Sequence, residues 1–185
     1  MACCTRSDRS ITIGGMEMSV IGAPDDVEAV LSGFLTCEFA TVARDGTPVA
    51  WPVVPLYLPE RGRFVLTTTI GFAAKAANVR RDPRVSLLFS DPTGSGLSAP
   101  PTVLVQGAAT VGEHVETAGD DDLLAHWARV NSLQPMSRFF SSTAPARWFM
   151  DWYYMRLLIH VTPWRVSWWV DLSAAPGRLE LSDVG

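Results

Sequence analysis

The run Phe64-Val65-Leu66-Thr67-Thr68-Thr69-Ile70-Gly71, followed at once by Phe72-Ala73-Ala74-Lys75-Ala76, places a strand, a glycine turn and a short helix in immediate succession. β-Branched residues favour the pleated strand, glycine permits the sharp turn, and Asp82-Pro83 closes the helix because proline cannot extend it. Such a junction presents unpaired backbone N–H groups and the positive end of the helix dipole, which together suit an anion. Lys75 falls in the first turn, whereas Arg80 and Arg81 fall at the far end, where positive charge suits the dipole. Lys75 is thus the cation without a local helical reason for its place. A bound phosphate beside three hydroxyls and a solvated surface lysine both fit the junction on its own.

The elements on either side give the chain its class. Pro24-Asp25-Asp26 precedes Val27, Val30, Leu31, Phe34 and Leu35, apolar residues at helical spacing behind an acidic first turn. Residues 37–43 and 47–58 read as strands flanking Arg44-Asp45-Gly46, and Asp-Gly between β-rich runs is a hairpin signal. Pro52 and Pro55 lie in the second strand, which places it at an edge, in a bulge or against a ligand, with backbone groups to spare. Strands follow at 63–69, 84–90 and 102–111, the last kinked at Gly107, with a Gly/Ser/Pro-rich loop at 91–101 of the kind that often carries function. A helix is expected over 117–130, a partly helical aromatic segment over 135–154, and two strands over 155–162 and 164–170. Residues 1–20 read as a disordered head, 21–172 as one domain and 173–185 as a ragged tail. Short antiparallel strands with inserted helices point to a mainly β, α+β fold built on a small barrel.

Composition narrows the function. Fifteen basic against nineteen acidic residues, with no basic block, give a net charge of −4 and exclude a general grip on nucleic acid. No apolar run reaches the roughly 18 residues of a membrane helix, and no secretory leader opens the chain, so a cytoplasmic protein is expected. Cys3, Cys4 and Cys37 have neither disulfide-framework nor metal-knuckle spacing, and His114, His126 and His160 are scattered, so no metal is expected and each histidine reads as a core or solvated side chain. Neither a Gly-x-Ser-x-Gly elbow nor a Walker-type or Gly-x-Gly-x-x-Gly loop occurs, and no catalytic side-chain constellation is identified. Five of the seven tryptophans, Trp148, Trp152, Trp164, Trp168 and Trp169, crowd the last quarter, which either caps the barrel or docks on a partner subunit.

Several of these segments together resemble one family. Phe39-Ala40-Thr41-Val42 with the Asp45-Gly46 hairpin, Pro52-Val53-Val54, Thr67-Thr68-Thr69, the tract from Lys75 through Asp82-Pro83-Arg84-Val85 to Leu88, and Val105-Gln106-Gly107-Ala108-Ala109 are similar to the pyridoxamine 5′-phosphate oxidase-like, FMN-binding split-barrel superfamily. The resemblance implies a homodimer of six-stranded antiparallel split barrels with flanking helices and a flavin site at the subunit interface. In such a site Lys75 would bind the FMN phosphate, Thr67, Thr68 and Thr69 would supply hydroxyl and backbone contacts, and the strand at Trp51, Pro52, Val53 and Val54 would follow the isoalloxazine edge. Gln106, Trp164 and Arg165 would complete the site across the dimer, with Trp168 beside them and Phe72, Trp148 or Trp152 walling a small-molecule substrate.

The resemblance stops short of the oxidase itself. Trp51 stands where that enzyme has arginine, Ala74-Lys75 where it has an Arg-Lys pair, and its basic residues for the substrate phosphate have no match. The expected activity is therefore flavin-dependent hydride transfer on another small molecule. A deazaflavin-dependent reductase and a flavin- or haem-binding module without turnover are the alternatives on the same barrel.

Overall fold

The computed structural model describes residues 21–69, 73–115, 121–133 and 156–181. Residues 1–20, expected to be disordered, the turn at Gly71, Phe72, the segment 135–154 and its Trp148 and Trp152 lie outside the described residues.

Helix α1 (Asp25–Gly33) starts behind Pro24 with Asp25, Asp26 and Glu28 in its first turn, where carboxylates are stabilised by the exposed N–H groups. Its stripe Val27, Val30 and Leu31 is buried, as is Phe34 just beyond its end. Strands β1 (Cys37–Val42) and β2 (Pro48–Val53) form the expected hairpin. Gly46 at its tip has φ 86°, a conformation that a Cβ would strain.

The strand expected over 47–58 divides in two, because Val54-Pro55 separates β2 from β3 (Leu56–Leu58). Pro55 has no N–H for a ladder and restricts the residue before it. After a 3-10 turn at Pro59–Arg61 come β4 (Arg63–Thr69), α2 (Ala74–Arg81), β5 (Arg84–Phe89), β6 (Thr102–Val111), α3 (Asp121–Leu133), β7 (Arg156–Trp169) and β8 (Gly177–Glu180). The eight strands among the described residues join one antiparallel sheet in the order β2-β1-β5-β6-β7-β4-β3, with β8 on the C-terminal half of β7. β3 is the far end of the strand expected over 47–58, and the short β8 is an addition. β2 and β3 are opposite edges of this sheet, yet only Val54 and Pro55 join them. The sheet therefore curls until its edges meet at a seam that carries no ladder between them, the split of a split barrel.

Two further expectations are corrected. The strands foreseen at 155–162 and 164–170 are one, β7, which runs through Pro163. It does so at a bulge, where Gln106 faces Arg165 and Gly107 faces Pro163, leaving Trp164 as the extra residue. The Leu181 N–H donates to the Trp164 carbonyl, so the bulged backbone is satisfied. The tail beyond Leu172, expected to be ragged, supplies β8, whose Leu179 packs on the core and whose Gly177 lies flat against the Trp168 ring.

The core fills the barrel with Phe34 from α1, Phe89, Phe64 and Tyr57 in a continuous aromatic row, each ring 4.8 to 6.3 Å from the next. α2 is fixed to the wall by a buried pair in which Asn78 Nδ2 donates to Thr41 Oγ1 at 3.0 Å. Arg80 and Arg81 at its C-terminal end donate to the carbonyls of Gly112 and Val42.

Helix α3 packs on the outer face of β3, β4 and β7, where Leu123 meets Val65 and Leu158. Three basic groups hold its Asp122: Arg61 at 2.7 Å, Arg63 at 2.7 Å and His160 at 3.1 Å. Burial opposes ionisation of Asp122, but His160, Arg63 and Arg61 outweigh it and keep the carboxyl below its ordinary range. One turn further on, buried His126 donates from Nε2 to the Val54 carbonyl at 3.1 Å. The helix thereby uses a backbone acceptor that the seam leaves open.

Two consequences are measurable. An added Cβ at Gly107 would stand 2.5 Å from the Thr162 carbonyl oxygen, so Gly107→Ala should cost about 2 kcal/mol in urea denaturation; an unchanged midpoint would contradict this packing. Burial, with Arg156 and Arg129 nearby, pulls His126 down to about 4 despite its bond to Val54. An unfolded histidine titrates near pH 6.5, so between those values the unfolded chain binds the extra proton. Stability should therefore fall on acidification from pH 6.5 to 4, by on the order of 3 kcal/mol, and His126→Phe should flatten that slope. Loss through Asp122 comes at lower pH, below its unfolded value of 3.8.

Candidate functional site

The seam opens into a half-open cleft of about 160 Å³ lined by Pro52, Val53, Val54, Thr67, Lys75, His126, Trp127, Val130 and Arg156. Each wall has a different origin. β2 ends there at Val53, two residues before Pro55, α2 starts there, and β4 and β7 present one shared face. Helix α3 forms the remaining side.

Strand alternation sorts the three threonines. Thr67 and Thr69 point to the α3 side of β4, whereas Thr68 points into the barrel and is buried. Thr67 lines the cleft, and Thr69 Oγ1 is a buried hydroxyl without a hydrogen-bond partner among the described residues. Of the three hydroxyls expected at one anion, only that of Thr67 is on the described lining of the cleft. In the β4–β7 register Thr69 lies directly opposite Arg156, so their side chains leave the same face of the sheet.

Lys75 is the second residue of α2 and is half-buried. Its Nζ stands 5.6 Å from the centroid of the Trp51 ring, a cation–π arrangement that partly replaces lost hydration. Burial, and then the charge of Arg156, lower the pKa of Lys75 from its ordinary value. Among the described residues no carboxylate pairs with it, and the described lining of the cleft contains none. Arg156 is 7% exposed and lies over the Trp127 ring at 5.1 Å. A described lining with two cations, a neutral imidazole, one threonine and no carboxylate is chemically suited to an anion.

The structure thus brings together Trp51, Pro52, Val53, Val54, Thr67, Thr69 and Lys75 from the sequence candidates. It places Gln106, Trp164 and Arg165 elsewhere, at the β6–β7 bulge, where Arg165 reaches Gln106 at 3.5 Å and Glu180 at 2.6 Å. The loop 91–101 supplies nothing to the cleft; its Leu97 packs near Gly33 and the core instead. Sequence reasoning missed Arg156, Trp127 and Val130 and treated His126 as bland. The available signal for Arg156 was a charge entering the buried run Leu157-Leu158-Ile159. Among the described residues no group of three or more His, Cys, Asp or Glu is placed to hold a metal, and no helix is long and apolar enough to cross a membrane. Cys37 is buried, which raises its thiol pKa and keeps it protonated and unreactive.

Among solved structures, General Stress Protein 26 from Bacillus anthracis str. Sterne is 16% identical, with 85% of this chain and 97% of that one covered and a TM-score of 0.53. An F420 reductase is 22% identical over 78% of this chain and 98% of its own, with a TM-score of 0.50. A heme binding protein from Mycobacterium smegmatis is 21% identical over 85% of this chain and 59% of its own, with a TM-score of 0.53. At such identities the likeness establishes a shared fold. No curated protein matches the sequence. The family model of pyridoxamine 5′-phosphate oxidase matches residues 23–146, more than half of the chain, and with this sheet the conclusion is direct: the chain belongs to the pyridoxamine 5′-phosphate oxidase family.

Proposed function

We propose that the protein is an FMN-dependent oxidoreductase that holds the cofactor phosphate at Lys75. The observation that carries this reading is a half-buried ammonium group at the start of α2, without a carboxylate partner among the described residues, facing a cleft beside the seam. Thr67 offers a hydroxyl to the phosphate, and the stretch Pro52 to Val54 offers its backbone along the ring edge. When bound, the flavin supplies the hydride chemistry. The protein's own work is to bind, orient and shield it, which requires no nucleophile or general acid of its own.

At about 160 Å³ the cleft is smaller than the roughly 300–1,000 Å³ of sites that enclose a whole organic ligand. It suits the phosphate end, and the ring then lies outside it along the half-exposed β2, covered by a second copy of the chain. Gln106, Trp164 and Arg165, which lie away from this cleft in one chain, are the residues a second copy brings. A small-molecule substrate stacks on the free ring face.

Two other readings share the barrel. The F420 reductase neighbour makes a deazaflavin the alternative cofactor, and a direct comparison of affinities separates it from FMN. For a haem-binding module, His126 is the lining imidazole, but its Nε2 is committed to the Val54 carbonyl. The composition of the cleft therefore favours the anionic tail of a flavin over an iron.

FMN fluorescence should be quenched on titration with the protein, and Lys75→Ala should weaken binding by about 10- to 100-fold, the equivalent of one charge-assisted hydrogen bond. Quenching by the variant at unchanged affinity would contradict the phosphate placement. Sedimentation of the flavin-loaded protein should give twice the chain mass; a monomer with full flavin affinity would contradict the shared site.

A further inference from the structure

We infer that His126 is a positioning residue for the ligand: from α3 it clamps the Val54 carbonyl and so fixes the end of the β2 edge along which the cofactor ring lies. The inference deepens the FMN reading and rests on it for the identity of that ring. Three observations carry it.

The first is the phase of the β1–β2 ladder. The Ala43 N–H donates to the Thr47 carbonyl, so hydrogen-bonded pairs recur at every second residue, as Thr41–Val49, Phe39–Trp51 and Cys37–Val53. Val49, Trp51 and Val53 therefore spend their backbone groups on β1, whereas Pro48, Ala50 and Pro52 turn theirs to the unpaired edge. Proline has no N–H, so this edge of β2 is a row of carbonyls with one donor, at Ala50. The Val54 carbonyl follows Pro52 in the same phase, and it is the group that His126 Nε2 meets at 3.1 Å. The second observation is how little else holds that point. β2 ends at Val53 and β3 starts at Leu56, and among the described residues Val54 and Pro55 make no backbone–backbone hydrogen bond.

The third is that His126 has its place set independently of Val54. One turn earlier Asp122 ties α3 to Arg61, Arg63 and His160, and three residues later Arg129 ties it to the Phe34 carbonyl. His126 lies between these anchors on the same helix face and is 5% exposed. Burial, with Arg156 and Arg129 nearby, keeps the ring neutral near pH 7, so it carries one N–H, and a carbonyl partner puts that proton on Nε2. Without this donor the Val54 carbonyl loses its partner and the crossing turns to find another. The carbonyl row then shifts at the end nearest the cleft, while the phosphate end of the ligand, at α2, is untouched.

The test compares wild-type protein with His126→Leu, which removes the donor, and His126→Gln, whose amide N–H reaches about as far as Nε2. Riboflavin and FMN are titrated by fluorescence quenching at a temperature where each variant is folded. H126L should weaken both flavins by about tenfold and leave the ratio of their affinities unchanged, and H126Q should restore most of the loss. In the unliganded protein the carbon-13 shift of the Val54 carbonyl should move in H126L and stay near its wild-type value in H126Q. Nitrogen-15 shifts of wild-type His126 should show the Nε2–H tautomer, a readout that needs no variant. An Nδ1–H tautomer, or a Val54 shift indifferent to H126L, overturns the inference. So does unaltered flavin affinity in H126L, or a loss confined to FMN, and both leave the flavin reading standing. If neither flavin binds the wild-type protein the FMN reading fails, and a Val54 shift that follows the donor from H126L to H126Q then sustains the clamp by itself.

Discussion

The architecture depends on the absence of two backbone donors. Pro52 and Pro55 flank the place where β2 gives way to β3, and each brings one backbone donor fewer to the two unpaired edges that face each other there. The chain crosses from one edge of the sheet to the other through Val54-Pro55, and the cleft lies beside that crossing. Everything gathered at the cleft is gathered because of the seam. α2 begins beside it, the outer face of β4 and β7 borders it, and α3 reaches into it with His126 to satisfy the exposed Val54 carbonyl.

The energetics of the cleft are set by charge in partial burial. Moving an ammonium group out of water costs free energy, and a second cation nearby raises that cost. The Trp51 and Trp127 rings under Lys75 and Arg156 recover some of it, on the order of 0.5–2 kcal/mol for each such contact. α3 is anchored to its neighbours because Asp122 binds Arg63 and His160 on the sheet and Arg61 in the 3-10 turn, and Arg129 donates to the Phe34 carbonyl at 2.7 Å. A polar, positive and partly desolvated cleft is a poor core and a good receptor for a phosphate.

Local chemistry is what the sequence makes legible. Asp45-Gly46 specifies its hairpin because few residues accept the left-handed turn, the acidic turn before Val27 specifies α1, and the two prolines of the second strand specify an edge. The Lys75 tract is legible for the same reason, since its cap, its helix and its Pro83 stop are all near neighbours. Long-range geometry is less so. That Arg156 meets Lys75 depends on β7 pairing with β4, and that His126 meets Val54 depends on how α3 lies across the sheet; neither is encoded in local periodicity. Pro163 misleads in the opposite direction, because a proline usually ends a strand, whereas the bulge at Gly107 lets β7 continue through it. Thr68 is instructive in another way: simple alternation already assigns it to the barrel interior, away from its two neighbours.

The account thus reduces to a gap in a sheet that is lined with positive charge, and its function follows from what that gap holds. The most direct measurement is a crystal structure of the protein grown with FMN. The account places the phosphate within hydrogen-bond distance of Lys75 Nζ, with the ring running along Pro52 to Val54 outside the cleft. A flavin whose phosphate lies elsewhere, with Lys75 still stacked on Trp51 and facing only water, would contradict it.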